Sequence, residues 1–312
     1  MHMRIILNPM ARYGAGARLR RNIERALERR RVPFDLVLTE GPGHATELAR
    51  EAAAAGITRI IAAGGDGTIH EVANGIVTAP MSGVAMGLIP IGTGNDFVKM
   101  FPGVRSRDAA IALLASGTPC PVDVGIARWD GGTEYFINAM GTGIDVEVVR
   151  QMRRSRYMPG AAIYVGALLR ALAAYRPLKV EVTVDDCVVS QPIMNLAVCN
   201  GPSIGGSFRI CPDASPADGA LDVCLIREMP MLRNARMVPR VIRGTHTDQT
   251  GVTMLRGTSV GIRLPTGGRL HFQLDGELRE AQDGQTGIEI TLAPARLNVI
   301  RGAPHGDAPR KD

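Results

Sequence analysis

The sequence predicts two domains of the α/β-plus-β kind: an N-terminal, Rossmann-like parallel α/β domain and a C-terminal antiparallel β-sandwich. Three observations lead there. The chain has 312 residues, more than one hydrophobic core ordinarily serves. Up to about residue 120, short apolar runs alternate with amphipathic helical patterns. Beyond it the chain breaks into short strands separated by turn signals such as Asp130-Gly131 and Asp185-Asp186.

In order, the strands of the first part are "RIILN" (4–8), "FDLVLT" (34–39), "ITRIIAA" (57–63) and "VAMGLIP" (84–90), with helices over 16–31, 44–55, 68–79 and 106–116. Continuous apolar strands between amphipathic helices mean βαβ units and a parallel sheet covered on both faces. The second part offers "VDVGIARW", "EYFINAM", "LKVEVTV", "IMNLAVCN", "LDVCLI", "SVGIRL", "RLHFQL" and "GIEITL" as strands, interrupted by helices near 145–155, 160–175 and 229–243. "ARLNVI" (295–300) is a last strand that could return to either domain. The expected division is 1–121, joined or not by 295–303, then 122–294, then a disordered tail over 304–312.

Composition narrows the function. Aromatic residues at 4% argue against a base-stacking nucleic-acid surface. The net charge of +6 is almost all arginine, since Lys99, Lys179 and Lys311 are the only lysines. Arginine suits phosphates and anionic surfaces, and genomic codon bias is the competing reading. Five cysteines without a Cys-x-x-Cys pair point away from a disulfide frame or zinc site and toward a reducing cytoplasm. The N-terminal "MHMRIILNPM" reads as a strand rather than a signal peptide. The apolar stretch "MPGAAIYVGALLRALAAY" (158–175) is short and carries Arg170, which favours a buried or surface-lying helix over a membrane span.

The most informative stretch is "ITRIIAAGGDGTIHEVANGI" (57–76). A strand runs into Gly64-Gly65-Asp66-Gly67 and straight on into a helix whose start is expected at Thr68, with Thr68 and Glu71 spaced as a capping box. Glycines there let a phosphate lie against bare main-chain N–H groups at a helix N-terminus. Asp66 would repel that phosphate unless a divalent cation, or water held by one, stood between them. The device recurs in "IPIGTGNDF" (89–97), with Gly92, Thr93, Gly94, Asn95 and Asp96, and a third turn, "NPMARYGAG" (8–16), starts at Asn8. Parallel strands put their C-terminal ends on one sheet edge, so three such turns suggest a nucleotide. The pattern is neither a P-loop nor a dinucleotide fingerprint.

GGDGT after a strand, followed by a turn of the form GTxND, resembles the diacylglycerol kinase catalytic family. That family includes bacterial soluble lipid kinases and the sphingosine and ceramide kinases, and it shares a fold with NAD kinases. Three further motifs extend the resemblance over nearly the whole chain: "PVDVG" (121–125), "CPDASPADGALDVCLI" (211–226) and "LDGE" (274–277). The resemblance implies ATP and Mg²⁺ as cofactors. Nucleotide contacts would come from Asn8, Thr39, Gly64, Gly65, Asp66, Gly67, Thr68, Gly92, Thr93, Asn95 and Asp96. Asp66, Asp96 and Asp123 would form a metal-linked acidic network, and Asp218 with the carbonyls of Ser215 and Ala220 would hold a structural Mg²⁺. Glu277 would be the general base, with Asp275 beside it in the catalytic motif. The active site would lie in the interdomain cleft, between a nucleotide-binding domain and a lipid- and metal-binding one.

The implied reaction is phosphoryl transfer from ATP to a lipid hydroxyl, with diacylglycerol the first expectation and a sphingoid base, ceramide or another lipid alcohol as alternatives. An NAD kinase remains open, although no Asn-Glu-type adenosine motif follows the glycine turn and "LDGE" matches the lipid branch. A silent nucleotide-binding protein at the membrane surface is the alternative of another class. The expected partner is a lipid at an anionic surface, met peripherally from the cytoplasm by "MPGAAIYVGALLRALAAYR" or by the arginine-bearing "MPMLRNARMVPRVIRG" (229–244). No nucleic-acid partner is expected, and a homodimer is left open.

Overall fold

Apolar runs without polar alternation become inner strands of a parallel sheet. In the computed structural model, which describes residues 2–101, 103–104, 106–154, 170–171, 175–206, 208–282 and 284–302, these are β1 (Met3–Leu7), β2 (Phe34–Leu38), β3 (Arg59–Gly64) and β4 (Ala85–Pro90). They pair in parallel in the order β2, β1, β3, β4. The last strand, β15 (Gly287–Arg301), joins them at its end, with Asn298 opposite Ala85 and Val299 opposite Met86. β3 is buried at every position, as a central parallel strand must be. The chain divides into two units, one of residues up to Val122 together with those from Leu297, the other Asp123–Arg296.

Helices cover both faces of the first unit's sheet. One face packs Ile5, Leu7, Ile61 and Ile89 against Ile23 and Leu27 of α1 (Ala11–Glu28) and Ile111 and Leu114 of α5 (Arg107–Ser116). The other side carries α2 (His44–Ala54) and α3 (Asp66–Thr78). These two helices cross closely at Gly75, where a Cβ would come within 2.4 Å of the Thr46 carbonyl oxygen. Between β4 and α5 lies a single turn, α4 (Asp96–Lys99).

Two local expectations are corrected. The helix after the Gly-Gly-Asp-Gly turn begins at Asp66 with Gly65 as its cap, so Thr68 and Glu71 fall inside it and form no capping box. Glu71 reaches across to α2, where its carboxylate accepts N–H bonds from Gly43 at 2.9 Å and Ala45 at 3.1 Å. The first helix was expected from residue 16. It begins at Ala11 and carries a kink at Arg12, Tyr13 and Gly14, all with positive φ, before running regularly to Glu28. The expected helix over 160–175 lies mostly outside the described residues, as does the tail beyond 302.

The second unit is antiparallel. β5 (Thr118–Trp129) and β6 (Gly132–Phe136) make a hairpin. β7 (Ala139–Gly143), β8 (Leu178–Val184), β9 (Cys187–Cys199), β10 (Leu221–Arg227), β11 (Val252–Gly257), β12 (Ser259–Arg263), β13 (Phe272–Leu274) and β14 (Glu277–Arg279) follow. β9 pairs along its first half with β8 and along its second with β7 and β10. The period of two then separates two cores. Leu196, Val198, Val223 and Leu225 face the sandwich interior with Phe136, Val182, Ile262, Phe272 and Ile290. Ala197, Cys199, Cys224 and Ile226 face outward, under α6 (Ile144–Arg154) and α7 (Met231–Arg243). β11 has no counterpart in the strands read from the sequence; its half-buried residues, Val252 to Leu255, give no clear alternation.

Replacing Glu71 by Ala removes the acceptor for two N–H groups at the start of α2. The expected loss is about 1 kcal/mol of stability, read as a lower denaturant midpoint with an unchanged m-value. An unchanged midpoint would show that water caps the helix equally well.

Candidate active site

In the first unit the expected nucleotide residues converge at the carboxyl ends of β1, β3 and β4. Each strand ends in a turn with a bare backbone. Gly64 leaves room for Thr68, whose hydroxyl oxygen would lie 2.4 Å from a Cβ at that position. The Thr68 hydroxyl in turn accepts a bond from Asn8 Nδ2 at 3.1 Å, tying the first turn to the second. Gly92 meets Gly65 so closely that a Cβ on it would stand 2.6 Å from the Gly65 Cα. Thr39 is buried after β2, and its N–H is bonded to the Leu7 carbonyl at 3.0 Å. Thr93 is exposed at the tip of its turn, and Gly67 is half-buried in the first turn of α3.

Asp66 is the brace between the two glycine turns. Its Oδ2 accepts the Asn95 N–H at 2.7 Å, with Asn95 in the left-handed region at φ 50°. Its Oδ1 is buried with no hydrogen-bond partner. Burial, and next the charge of Asp96, push the Asp66 carboxyl up to about 6, against main-chain N–H bonds from Asn95, Asp96 and Phe97 that pull it down. Asp96 is buried and paired with Lys99 at 2.9 Å. Two carboxylates with an unpartnered buried oxygen between glycine turns fit a hard divalent cation.

The expected third member of this network behaves differently. Asp123 belongs to the second unit, and both its oxygens hold main-chain N–H groups, of Gly219 and of Ala295, each at 2.8 Å. It fastens the Asp218-Gly219 turn. Asp218 is likewise engaged: Oδ2 pairs with Arg256 at 2.6 Å and Oδ1 accepts the Ala220 N–H at 3.3 Å. Arg256 therefore supplies a positive charge at the turn where a structural Mg²⁺ was expected on Asp218 with the carbonyls of Ser215 and Ala220, and the neighbouring Asp222 keeps a buried Oδ2 without a hydrogen-bond partner. Nothing in the sequence around Arg256 marks it as the partner.

The "LDGE" motif forms the two-residue turn between β13 and β14. Asp275 (φ 50°) and Gly276 (φ 89°) both have positive φ, as a type I′ turn requires. Asp275 is the acid expected beside Glu277 in the catalytic motif. Its carboxylate accepts N–H bonds from Ile137 at 2.9 Å, Asn138 at 2.8 Å and Ala139 at 3.0 Å, which fastens the turn to the main chain. Glu277 is half-buried at the start of β14, and two residues on Arg279 pairs with Glu134 of β6.

Beside this turn the second unit holds an apolar pocket of about 90 Å³ among α6, β9, β10 and α7, lined by side chains including Val148, Met194, Phe208 and Met237. Three polar residues reach it. Asp145, in the first turn of α6, accepts from Gln273 Nε2 at 2.8 Å, and burial raises its carboxyl above the usual range, with the Gln273 bond opposing. Asn195 accepts the Asp145 N–H. Asn234 on α7 donates to the Met229 carbonyl, and its Oδ1 is buried without a partner. The sequence offered one signal for these residues: single polar letters in apolar strands, the Asn of "IMNLAVCN" and the Gln of "HFQLDGE".

Comparison with known proteins shows what the chain is similar to. Residues 2–127 match the family described as "Diacylglycerol kinase catalytic domain", and residues 138–301 match "YegS C-terminal NAD kinase beta sandwich-like domain". The chain is 31% identical over 239 residues to "Diacylglycerol kinase" of Bacillus subtilis (strain 168), covering 75% of this chain and 76% of that protein. It is 29% identical over 300 residues to "Diacylglycerol kinase" of Mycobacterium tuberculosis (strain ATCC 25618 / H37Rv), covering 95% and 94%. In fold it is similar to "A putative diacylglycerol kinase from Bacillus anthracis str. Sterne", with TM-score 0.78, 23% identity and coverage of 96% and 97%.

A raised carboxyl binds its proton more tightly in the folded state, so ionising Asp66 costs stability. Its penalty is absent below about pH 4 and complete above about pH 6, where a shift of this size amounts to about 3 kcal/mol. In cation-free buffer, Asp66→Asn is expected to gain on the natural chain as pH rises from 4 to 7. A stability difference constant over that range, measured by denaturant titration, would show that Asp66 is not desolvated.

Proposed function

The chain belongs to the diacylglycerol kinase catalytic family and is a lipid phosphotransferase, and we propose that it transfers the γ-phosphoryl group of ATP to the free hydroxyl of diacylglycerol, giving phosphatidic acid. The observation that carries the acceptor is the apolar pocket beneath α7, which suits one end of an acyl chain. The outer face of the same helix supports the source of that chain. Arg233, Arg236, Arg240 and Arg243 are exposed there together with Leu232 (63% exposed) and Ile242 (38%), while Asn234, Met237 and Val241 face the pocket. A basic amphipathic face above an apolar pocket suits an anionic bilayer from which the lipid is drawn. Among the described residues no helix is long and apolar enough to cross a membrane.

Phosphoryl transfer asks for positioning, charge neutralisation and a base for the alcohol. In the proposed reaction the main-chain N–H groups of residues 65–68 and 92–94 surround the phosphates, with Asn8, Thr39, Thr68, Thr93 and Asn95 about the nucleotide. Asp66, through its open oxygen, and Asp96 would hold Mg²⁺, which when bound offsets the negative charge of the phosphates. Glu277 takes the proton of the acceptor hydroxyl, and Asp275 keeps the turn that presents it.

A sphingoid or ceramide acceptor is a second reading, favoured by the unpartnered Oδ1 of Asn234 at the pocket wall. An amide N–H or a hydroxyl on the lipid chain would satisfy that acceptor atom, whereas an ester-linked chain offers no donor.

Incubation with labelled ATP, Mg²⁺ and a panel of diacylglycerol, ceramide, sphingoid base and NAD decides among these. Label is expected in phosphatidic acid and absent from NAD; ceramide phosphate as the main product would install the second reading. Glu277→Gln is expected to lower kcat at least about a hundredfold with ATP binding preserved. Near-normal turnover would remove Glu277 from the role of base. In co-sedimentation with anionic vesicles at low salt, Arg236→Gln with Arg240→Gln is expected to weaken binding roughly tenfold or more. Unchanged binding would remove α7 from the membrane-facing surface.

A further inference from the structure

β13 reads Phe272-Gln273-Leu274, and all three residues are buried. Phe272 and Leu274 enter the sandwich core, so Gln273 points to the opposite face, where a leucine or methionine would fill the space at no polar cost. Its amide instead spans two partners. Nε2 donates to Asp145 Oδ2 at 2.8 Å, and Oε1 accepts the N–H of Gly276 at 2.5 Å. An acceptor at one end and an N–H donor at the other allow the amide a single orientation. The bond to Asp145 passes over Gly141, the residue opposite Gln273 on β7. A Cβ at Gly141 would lie 2.0 Å from Asp145 Oδ2 and 2.7 Å from Gln273 Nε2, so only glycine leaves the path open. Asp145 is held from behind as well, its own N–H bonded to Asn195 Oδ1 at 3.3 Å.

We propose that Gln273 is a positioning residue for phosphoryl transfer: it ties the pocket carboxylate Asp145 to the Asp275-Gly276 turn and so fixes Glu277 with respect to the bound acceptor. The inference rests on the reading of Glu277 as base and of the pocket as the acceptor site. Asp275 anchors the turn to the 137–139 main chain, and that anchor fixes the turn's depth. The Gln273 bridge adds a link to the side of the pocket on which the lipid would rest, so a shift there is felt at Gly276, the residue before the base. Reacting atoms held in register by such a link govern kcat more than affinity for the nucleotide.

The test uses the full chain with three sets of substitutions, measuring kcat, the KM values for ATP and lipid, and the melting temperature. Gln273→Met keeps the length and loses both bonds; kcat is expected to fall about tenfold or more, with the ATP KM within about twofold. Gln273→Glu sets a second carboxylate against Asp145 and should lose at least as much. Combining Asp145→Asn with Gln273→Glu reverses the polarity of the bond. The new asparagine donates to the new glutamate, whose other oxygen still accepts the Gly276 N–H, and kcat is expected to return toward that of the natural chain. If Gln273→Met lowers only the melting temperature, or the double substitution is no more active than Gln273→Glu, the inference is overturned and Gln273 is a packing residue. If the natural chain phosphorylates no lipid, it is the proposed function that fails.

Discussion

Two backbones meet at Gly65 and Gly92, where position 92 has no room for a side chain, and the two glycine turns of the first unit depend on that contact. A Cβ on Gly92 would stand 2.6 Å from the Gly65 Cα, and one on Gly94 would stand 2.8 Å from Asp66 Oδ2. With side chains excluded, the turns after β3 and β4 form one surface, cross-braced by the Asp66 carboxylate on the Asn95 N–H. An asparagine could accept the same N–H bond without a buried charge. The acid therefore serves something other than the brace, since it is kept where burial and Asp96 both resist its ionisation. Its unpartnered Oδ1 shows on which side a positive charge would relieve that resistance.

Much of the first unit was legible because parallel strands buried on both faces cannot alternate, and "ITRIIAA" and "VAMGLIP" do not. The glycine turns were legible for a similar reason, being positions where a side chain is sterically excluded. What the sequence concealed was partnership. Thr68 and Glu71 have capping-box spacing, yet Thr68 bonds Asn8, 60 residues away, and Glu71 caps a different helix. Spacing identifies a local bond only when no tertiary partner competes, and the close crossing of α2 on α3 at Gly75 brings one. The partner of Asp218 was hidden in the same way, because Arg256 is a residue of β11, a strand without a legible period.

The second unit shows why polar letters in apolar strands carry information. β9 sends Leu196 and Val198 into one core and Ala197 and Cys199 into the other. Asn195 and Gln273 interrupt such alternation at buried positions, where an unmet polar group is costly, so each had to find partners. Both found Asp145. The pocket wall and the "LDGE" turn thereby belong to one hydrogen-bonded assembly, joined through an amide with a single permitted orientation.

Within that turn two carboxylates stand two residues apart and are given different work by their surroundings. Asp275 lies at a left-handed position, and its carboxylate accepts three main-chain N–H bonds. Glu277 sits beyond Gly276, in strand geometry, with its neighbour Arg279 committed to Glu134. Asp275 thus anchors the turn that presents Glu277, the proposed base. Exchanging the two residue types would not exchange their roles, since the N–H groups of 137–139 would still face position 275.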